Sequence, residues 1–115
     1  MSEFLSALLH SGTVTHFMHW TTKSRSDHIA LGTYYEQIID LADQLAEAYM
    51  GRYEKLTDFP TDFHMATEPT KYMEGMKSFV EEARKSLPQD TELQNLIDEI
   101  ADLINSTLYQ LKFLE

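Results

Sequence analysis

The chain has 115 residues, with 19 acidic against 9 basic side chains and a formal net charge of −10. It contains no cysteine, which excludes disulfide scaffolds, thiolate metal sites and cysteine nucleophiles. The acidic surface disfavours autonomous binding to nucleic-acid phosphates, and no apolar run is long enough to span a bilayer. We therefore expect a cytoplasmic protein with a single globular domain, residues 1–115, that neither enters a membrane nor binds nucleic acid by itself.

The first half of the chain predicts two long helices. The first is expected from about Glu3 to Thr22, and its apolar side is expected to comprise Leu5, Leu8, Leu9, Phe17 and Trp20. Ser24 and Asp27 have the spacing of a capping box, which places the start of the second helix there. That helix is expected to end near Met50, with Gly51 as its left-handed stop. Its predicted core stripe is Leu31, Tyr35, Ile38, Ala42, Leu45 and Tyr49.

The second half predicts a long connection followed by two further helices. The connection runs from Arg52 to Thr67 and is expected to pack on the helices, with a short helical turn from Thr61 to Ala66. Pro69 suits the first turn of a third helix, and Pro88 precedes the fourth. The third helix has a predicted stripe of Met73, Met76, Val80, Ala83 and Leu87. The stripe predicted for the fourth is Leu93, Ile97, Ile100, Ile104, Leu108 and Leu111.

The order of these elements predicts an all-α fold. Two helical hairpins joined by one long connection are typical of the ferritin-like antiparallel four-helix bundle, with the long connection between helices 2 and 3. An up-down-up-down bundle with a decorated middle loop is the alternative. No segment alternates apolar and polar residues over a strand's length, so no strands are expected.

The second helix carries an acidic stripe at steps of four, three and four: Glu36, Asp40, Asp43 and Glu47. Such a stripe is either a solvated face or a set of ligands for a cation. Three histidines, His16, His19 and His28, lie just upstream, and the first two share a helix face. Imidazole together with carboxylate suits iron, manganese or zinc.

His19-Trp20, then His28, then Asp43-Gln44-Leu45-Ala46-Glu47 resembles the signature of the Dps family, the mini-ferritins. This resemblance covers roughly residues 8 to 50. It implies a homo-oligomer with a ferroxidase site between two subunits. In that site His19 and His28 of one subunit face Asp43 and Glu47 of the other, and Trp20 lies beside it. The implied reaction is the oxidation of ferrous iron, often by hydrogen peroxide, and the implied bound metal is iron, with other divalent metals as alternatives.

The chain also departs from the Dps pattern. The interval from His19 to His28 is shorter than the usual one, Gly32 stands where an additional acid often follows the second histidine, and no lysine-rich tail is present. The chain is similar to short Dps-like proteins of tailed phages as well. A non-enzymatic oligomeric scaffold, virion-associated or regulatory, that has lost the metal site is therefore the second hypothesis. A helical adaptor that binds a cationic partner through the acidic stripe is the third.

Overall fold

Four α-helices account for most of the chain in a computed structural model that describes residues 1–115. They are α1 (Ser2–Thr21), α2 (Arg25–Arg52), α3 (Pro69–Ala83) and α4 (Thr91–Phe113). No residue forms a strand, so the predicted all-α class and the number of helices are confirmed. None of the four helices is long and apolar enough to cross a membrane.

The longest helix, α2, organises the packing. Its 28 residues extend about 42 Å at the α-helical rise, close to the 44 Å long axis of the molecule. It packs along α1 on one side and along α4 on the other, while α3 packs mainly on α4 and touches α1 little. At one end the Ser26 hydroxyl donates to the Leu114 carbonyl at 3.1 Å, and at the other Arg52 pairs with Asp90 at 2.6 Å.

The core follows the predicted stripes closely in α3 and α4. Both predicted methionines of α3 are buried, together with Val80. In α2 the stripe is confirmed except at its two tyrosines, because Tyr34 is buried where Tyr35 was expected, and Tyr49 is only half-buried. The large side chains with no more than 2% of their surface exposed are Leu8, Leu31, Tyr34, Ile38, Leu45, Met73, Leu93, Ile97, Ile100 and Ile104.

The predicted apolar side of α1 is wrong at Leu9, Phe17 and Trp20, which are exposed. Leu9 is 45%, Phe17 37% and Trp20 66% exposed. Small polar residues lie inside instead: the hydroxyls of Ser11 and Thr15 are buried and donate to carbonyl oxygens of the preceding turn. Since a hydroxyl satisfied in this way can be buried at little cost, the inward face of α1 does not coincide with its largest side chains.

The ends of α2 confirm one prediction and correct another. The Ser24 side chain accepts from the amide of Asp27 at 3.2 Å, as the capping box predicts. The amide of Ser24 is bound by the Thr22 hydroxyl rather than by Asp27. Gly51 is not a left-handed stop, because α2 continues to Arg52 and no glycine has a positive φ. The two additional residues bring Arg52 to Asp90 at the start of α4.

The connection, residues 53–68, contains no regular structure, so the short helix predicted from Thr61 to Ala66 is wrong. Leu56 packs against the core near the start of α1, and the Phe63 ring meets His10 edge-on at 5.2 Å. Thr57 contacts Ser2, Phe63 contacts His10 and Ala66 packs on the cluster that contains Val14 and Met18, so the connection runs along α1 on its way to α3. Extended backbone advances about 20 Å over six residues and a helix only about 9 Å, so an extended segment suits a connection that follows α1 over several turns.

A buried hydrogen bond joins α1 to α2. The Ser11 hydroxyl donates to the Leu8 carbonyl at 2.6 Å, so its oxygen is left to accept the Tyr34 hydroxyl at 2.7 Å. Burial raises the pKa of Tyr34 well above its ordinary value, with the Ser11 bond opposing this shift. The phenol is thus held as a neutral donor inside the core.

Removing either partner of this bond is expected to destabilise the protein, and the loss of unfolding free energy should differ between the two substitutions. Ser11→Ala leaves a fully buried tyrosine hydroxyl without a partner, at a cost of about 1–3 kcal/mol. Tyr34→Phe should cost only about 1 kcal/mol, because Ser11 keeps its bond to the Leu8 carbonyl. Urea unfolding measures both, and an equal or reversed order would contradict this account of the bond.

A second polar cluster joins the end of α2 to the start of α4. The Asp90 carboxylate accepts the Tyr53 hydroxyl and the Arg52 Nε–H. The Tyr53 bond, with a further contribution from Arg52, holds the pKa of Asp90 below its ordinary value. A carboxylate with a lowered folded-state pKa stabilises the fold above its unfolded pKa, and this stabilisation is lost as pH falls through the folded value.

We expect Tyr53→Phe to reduce this acid-dependent loss of stability, because the folded and unfolded pKa values of Asp90 then lie closer together. Urea unfolding between about pH 6 and about pH 2 measures the effect. Tyr109→Phe, which removes an exposed hydroxyl from α4, is the control. If the two variants share the wild-type pH dependence, Tyr53 does not set the pKa of Asp90.

Candidate metal centre

Two histidines interlock across the turn between α1 and α2. The last carbonyl groups of a helix have no partner within it, and His19 lies in the last turn of α1. The His28 Nδ1–H donates to the His19 carbonyl oxygen at 2.8 Å, and the His19 Nδ1–H donates to the His28 carbonyl oxygen at 2.6 Å. The two rings stack with centroids 3.7 Å apart and planes 17° apart. We call this arrangement the reciprocal histidine pair.

The hydrogen bonds fix the tautomer of both rings. A carbonyl oxygen only accepts, so each Nδ1 must hold a proton, and in the neutral ring Nε2 then has a free lone pair. A ring N–H that donates to a backbone carbonyl is also the usual outer support of a metal-binding histidine. His19 is half-buried and His28 is exposed. The pair therefore leaves one Nε2 lone pair on each ring, with the His28 ring exposed and the His19 ring packed on α2.

Gly32 makes room for the His19 ring. A Cβ at this position would lie 3.0 Å from His19 Cε1 and 3.1 Å from its Nδ1. An additional acid at position 32, as in the Dps pattern, is therefore incompatible with the ring where it lies. Gly32 and the short interval from His19 to His28 are two features of one arrangement. In it the His19 imidazole packs directly on the α2 backbone.

Aromatic rings extend from the reciprocal histidine pair along the α1–α2 seam. The His16 ring stacks on Tyr35 with centroids 3.9 Å apart, and Trp20 lies 4.7 Å from His16. Tyr35 also meets His19 at 5.4 Å with its ring edge-on. Tyr35 belongs to the predicted core stripe of α2, but it is only half-buried and lies in this row of rings instead. Its position two turns after His28, hence on the same helix face, was the available signal.

The acidic half of the predicted site lies elsewhere on α2. Asp43 and Glu47 are exposed and one turn apart, and Asp43 is 15 residues, about 22 Å, from His28 along the helix. The other two acids of the stripe, Glu36 and Asp40, are exposed as well. No lysine, arginine or histidine forms an ion pair with any of the four.

The structure thus brings together only half of the predicted ligands within one chain. The two histidines are in contact, while the two acids are remote from them. No group of three or more His, Asp or Glu side chains within the chain is placed to hold a metal ion.

Replacing Gly32 tests whether it provides the space for His19. Glycine to alanine inside a helix ordinarily stabilises by roughly 0.5–1 kcal/mol, and Gly75→Ala in α3 should show this gain because its Cβ meets nothing. Gly32→Ala should lose the gain, since the hydrogen-bonded His19 ring must move. Urea unfolding gives the stabilities, and NMR of the imidazole protons reports the ring. Equal stabilisation with unchanged His19 and His28 resonances would contradict this explanation.

Comparison with known proteins adds one relationship. No curated protein and no solved structure matches the chain. Residues 19–111 match the model of a protein family described as a family of unknown function (DUF5856), and the match includes all four candidate ligands. Because it covers well over half of the chain, the protein belongs to this family of unknown function, DUF5856.

Proposed function

We propose that the protein binds ferrous iron at a site shared by two copies of the chain, as Dps mini-ferritins do. The observation that supports this most is the reciprocal histidine pair, whose Nδ1 bonds leave the Nε2 lone pairs of both rings as candidate ligands. Two neutral imidazoles and two carboxylates are a donor set suited to iron. In this proposal the ion is the substrate: two ferrous ions each give one electron to one molecule of hydrogen peroxide, whose O–O bond breaks and which takes up two protons to become two waters, and both ions become ferric.

We also propose that the bundle is ferritin-like. The start of α1 lies at the end of α3, where Phe4 stacks on Phe79 with centroids 5.7 Å apart. The start of α1 also lies near the end of α2, because a three-residue turn joins these two helices and they pack along their length. Together these contacts give α2 and α3 the same direction, which supports the ferritin-like topology over an up-down-up-down bundle.

A two-fold axis supplies the missing carboxylates. If two copies of α2 lie antiparallel with the axis between Tyr35 and Glu36, His28 of one copy is level with Asp43 of the other, because this point is midway between the two positions. Glu47 then lies one turn further along the same face. The symmetry produces two identical sites in each dimer. Each site would join the histidines at one end of the helix face to the acids at the other.

The scaffold hypothesis has an observation in its favour too. Leu9, Trp20 and Ile39 are 45%, 66% and 44% exposed, and large exposed apolar side chains of this kind are typical of interaction surfaces. A scaffold of this kind would assemble without metal and would be indifferent to chelators. The following experiments separate it from the iron site.

Anaerobic titration of ferrous iron into the purified oligomer is expected to show saturable binding. Asp43→Asn/Glu47→Gln should weaken this binding by at least about tenfold, because two of the four proposed ligands lose their charge. Glu36→Gln/Asp40→Asn makes the same charge change on the same helix and should leave affinity nearly unchanged. No binding by the wild type, or equal effects of both pairs, would refute the proposed site.

Mixing two inactive variants tests whether the site is shared. At an iron concentration that just saturates the wild type, His19→Ala/His28→Ala and Asp43→Asn/Glu47→Gln should each bind little iron alone, because each loses at least about tenfold in affinity. After subunit exchange, half of the dimers are mixed and each of these has one complete site, so about a quarter of the wild-type capacity should return. A site built within one chain would give no recovery on mixing.

A further inference from the structure

An apolar groove lies between α1, α2 and the connection. It has a volume of about 320 Å³, and its walls include Leu9 of α1, Ala42 and Ala46 of α2, and Leu56 and Phe59 of the connection. One carboxylate, Asp43, also lines it. Phe59 is 55% and Leu9 45% exposed, so the apolar walls are open to solvent in the single chain.

The same face carries one large apolar side chain that projects away from its own chain. Trp20 is 66% exposed, in contact with the rings of His16 and Phe17. It is the only tryptophan of the protein. A tryptophan side chain buries about 150–250 Å² when it is covered, and tryptophan is among the residues that most often dominate interface energies.

We propose that Trp20 of one copy inserts into this groove of a second copy. The inference rests on the two-fold arrangement of the proposed function, which sets the register. The axis between Tyr35 and Glu36 is level with His16 on α1, because His16 stacks on Tyr35. Trp20 follows His16 by four residues and so lies about one turn of α1 to one side of the axis. The two-fold rotation therefore places the Trp20 of the second copy about one turn to the other side of the axis.

At that level α1 presents Gly12 and, next to it, the mouth of the groove. Gly12 itself is buried, and a Cβ on it would lie 3.3 Å from Ile38 and 3.8 Å from Ile39, so α1 and α2 are in close contact beside the groove. Leu9 is less than one turn further along α1. The indole of the second copy therefore has to extend less than one turn along α1 to reach the apolar walls of the groove.

The groove suits an indole in its chemistry and not only in its position. Tryptophan has one polar atom, the Nε1–H, which needs an acceptor when it is buried. Asp43 supplies a carboxylate oxygen among otherwise apolar walls. An ionised carboxylate has several lone pairs and can accept this hydrogen bond and bind a metal ion with the other oxygen. The indole would thus hold Asp43 in place for the histidines of the second copy.

The single tryptophan makes the test direct, because emission and acrylamide quenching report Trp20 alone. In the wild-type oligomer we expect blue-shifted emission and several-fold weaker quenching than in the urea-unfolded chain. Leu9→Glu places a charge in the groove and should shift the emission to the red and increase quenching. Phe113→Glu, the same type of change at a 71% exposed position of α4, should change neither.

Trp20→Ala provides a second measurement that does not depend on fluorescence. Since the side chain is mostly exposed in the single chain, its removal should leave the helical circular-dichroism signal unchanged and weaken self-association by about tenfold or more in sedimentation experiments. Unchanged self-association, or wild-type Trp20 as accessible as in the unfolded chain, would overturn the proposal. Leu9→Glu with wild-type emission would overturn it too.

Iron titration separates this proposal from the one on which it rests. If the wild type binds iron through Asp43 and Glu47 while Trp20 stays accessible, the groove has another occupant and the metal site stands. If Trp20 is protected by a second copy and no iron binds, the docking stands and the iron proposal fails.

Discussion

The close contact between α1 and α2 is the constraint on which the rest of the molecule depends. Two glycines allow it, one on each helix: a Cβ on Gly12 would lie 3.3 Å from Ile38, and a Cβ on Gly32 would press on the His19 ring. Between them the buried Ser11–Tyr34 bond fixes the relative position of the helices. With the seam set this tightly, each histidine can reach the backbone of the opposite helix.

Most of the fold could be predicted from the sequence, because long apolar stripes and helix-capping residues act locally. The four helices and the buried positions of α3 and α4 follow from such patterns. The inward face of α1 could not be predicted, because Ser11 and Thr15 become suitable core residues only once their hydroxyls find carbonyl partners. The extended course of the connection could not be predicted either, because it depends on where the end of α2 lies relative to the start of α3. No local sequence pattern contains that information.

The candidate site, like the fold, could be predicted only in part. The resemblance to the Dps signature implied that His19 and His28 belong to one half-site, and their rings are in contact. It could not predict their mutual hydrogen bonds, or that Gly32 is needed for them, because both depend on how closely two helices approach. The acidic pair remains a prediction that only a second copy can complete. In the proposed function the metal site is a property of the dimer, and one chain alone would present two half-sites.

The extended connection has a consequence for how the molecule tolerates a break in its backbone. Residues 53–68 are mostly exposed and lack helical hydrogen bonds, which is where proteases cut preferentially. A nick there would produce two fragments of two helices each. The fragments would remain joined along α2 and α4, with the Arg52–Asp90 pair at one end of that seam and the Ser26–Leu114 bond at the other. The chain should therefore behave as two helical hairpins that can recognise each other when expressed separately.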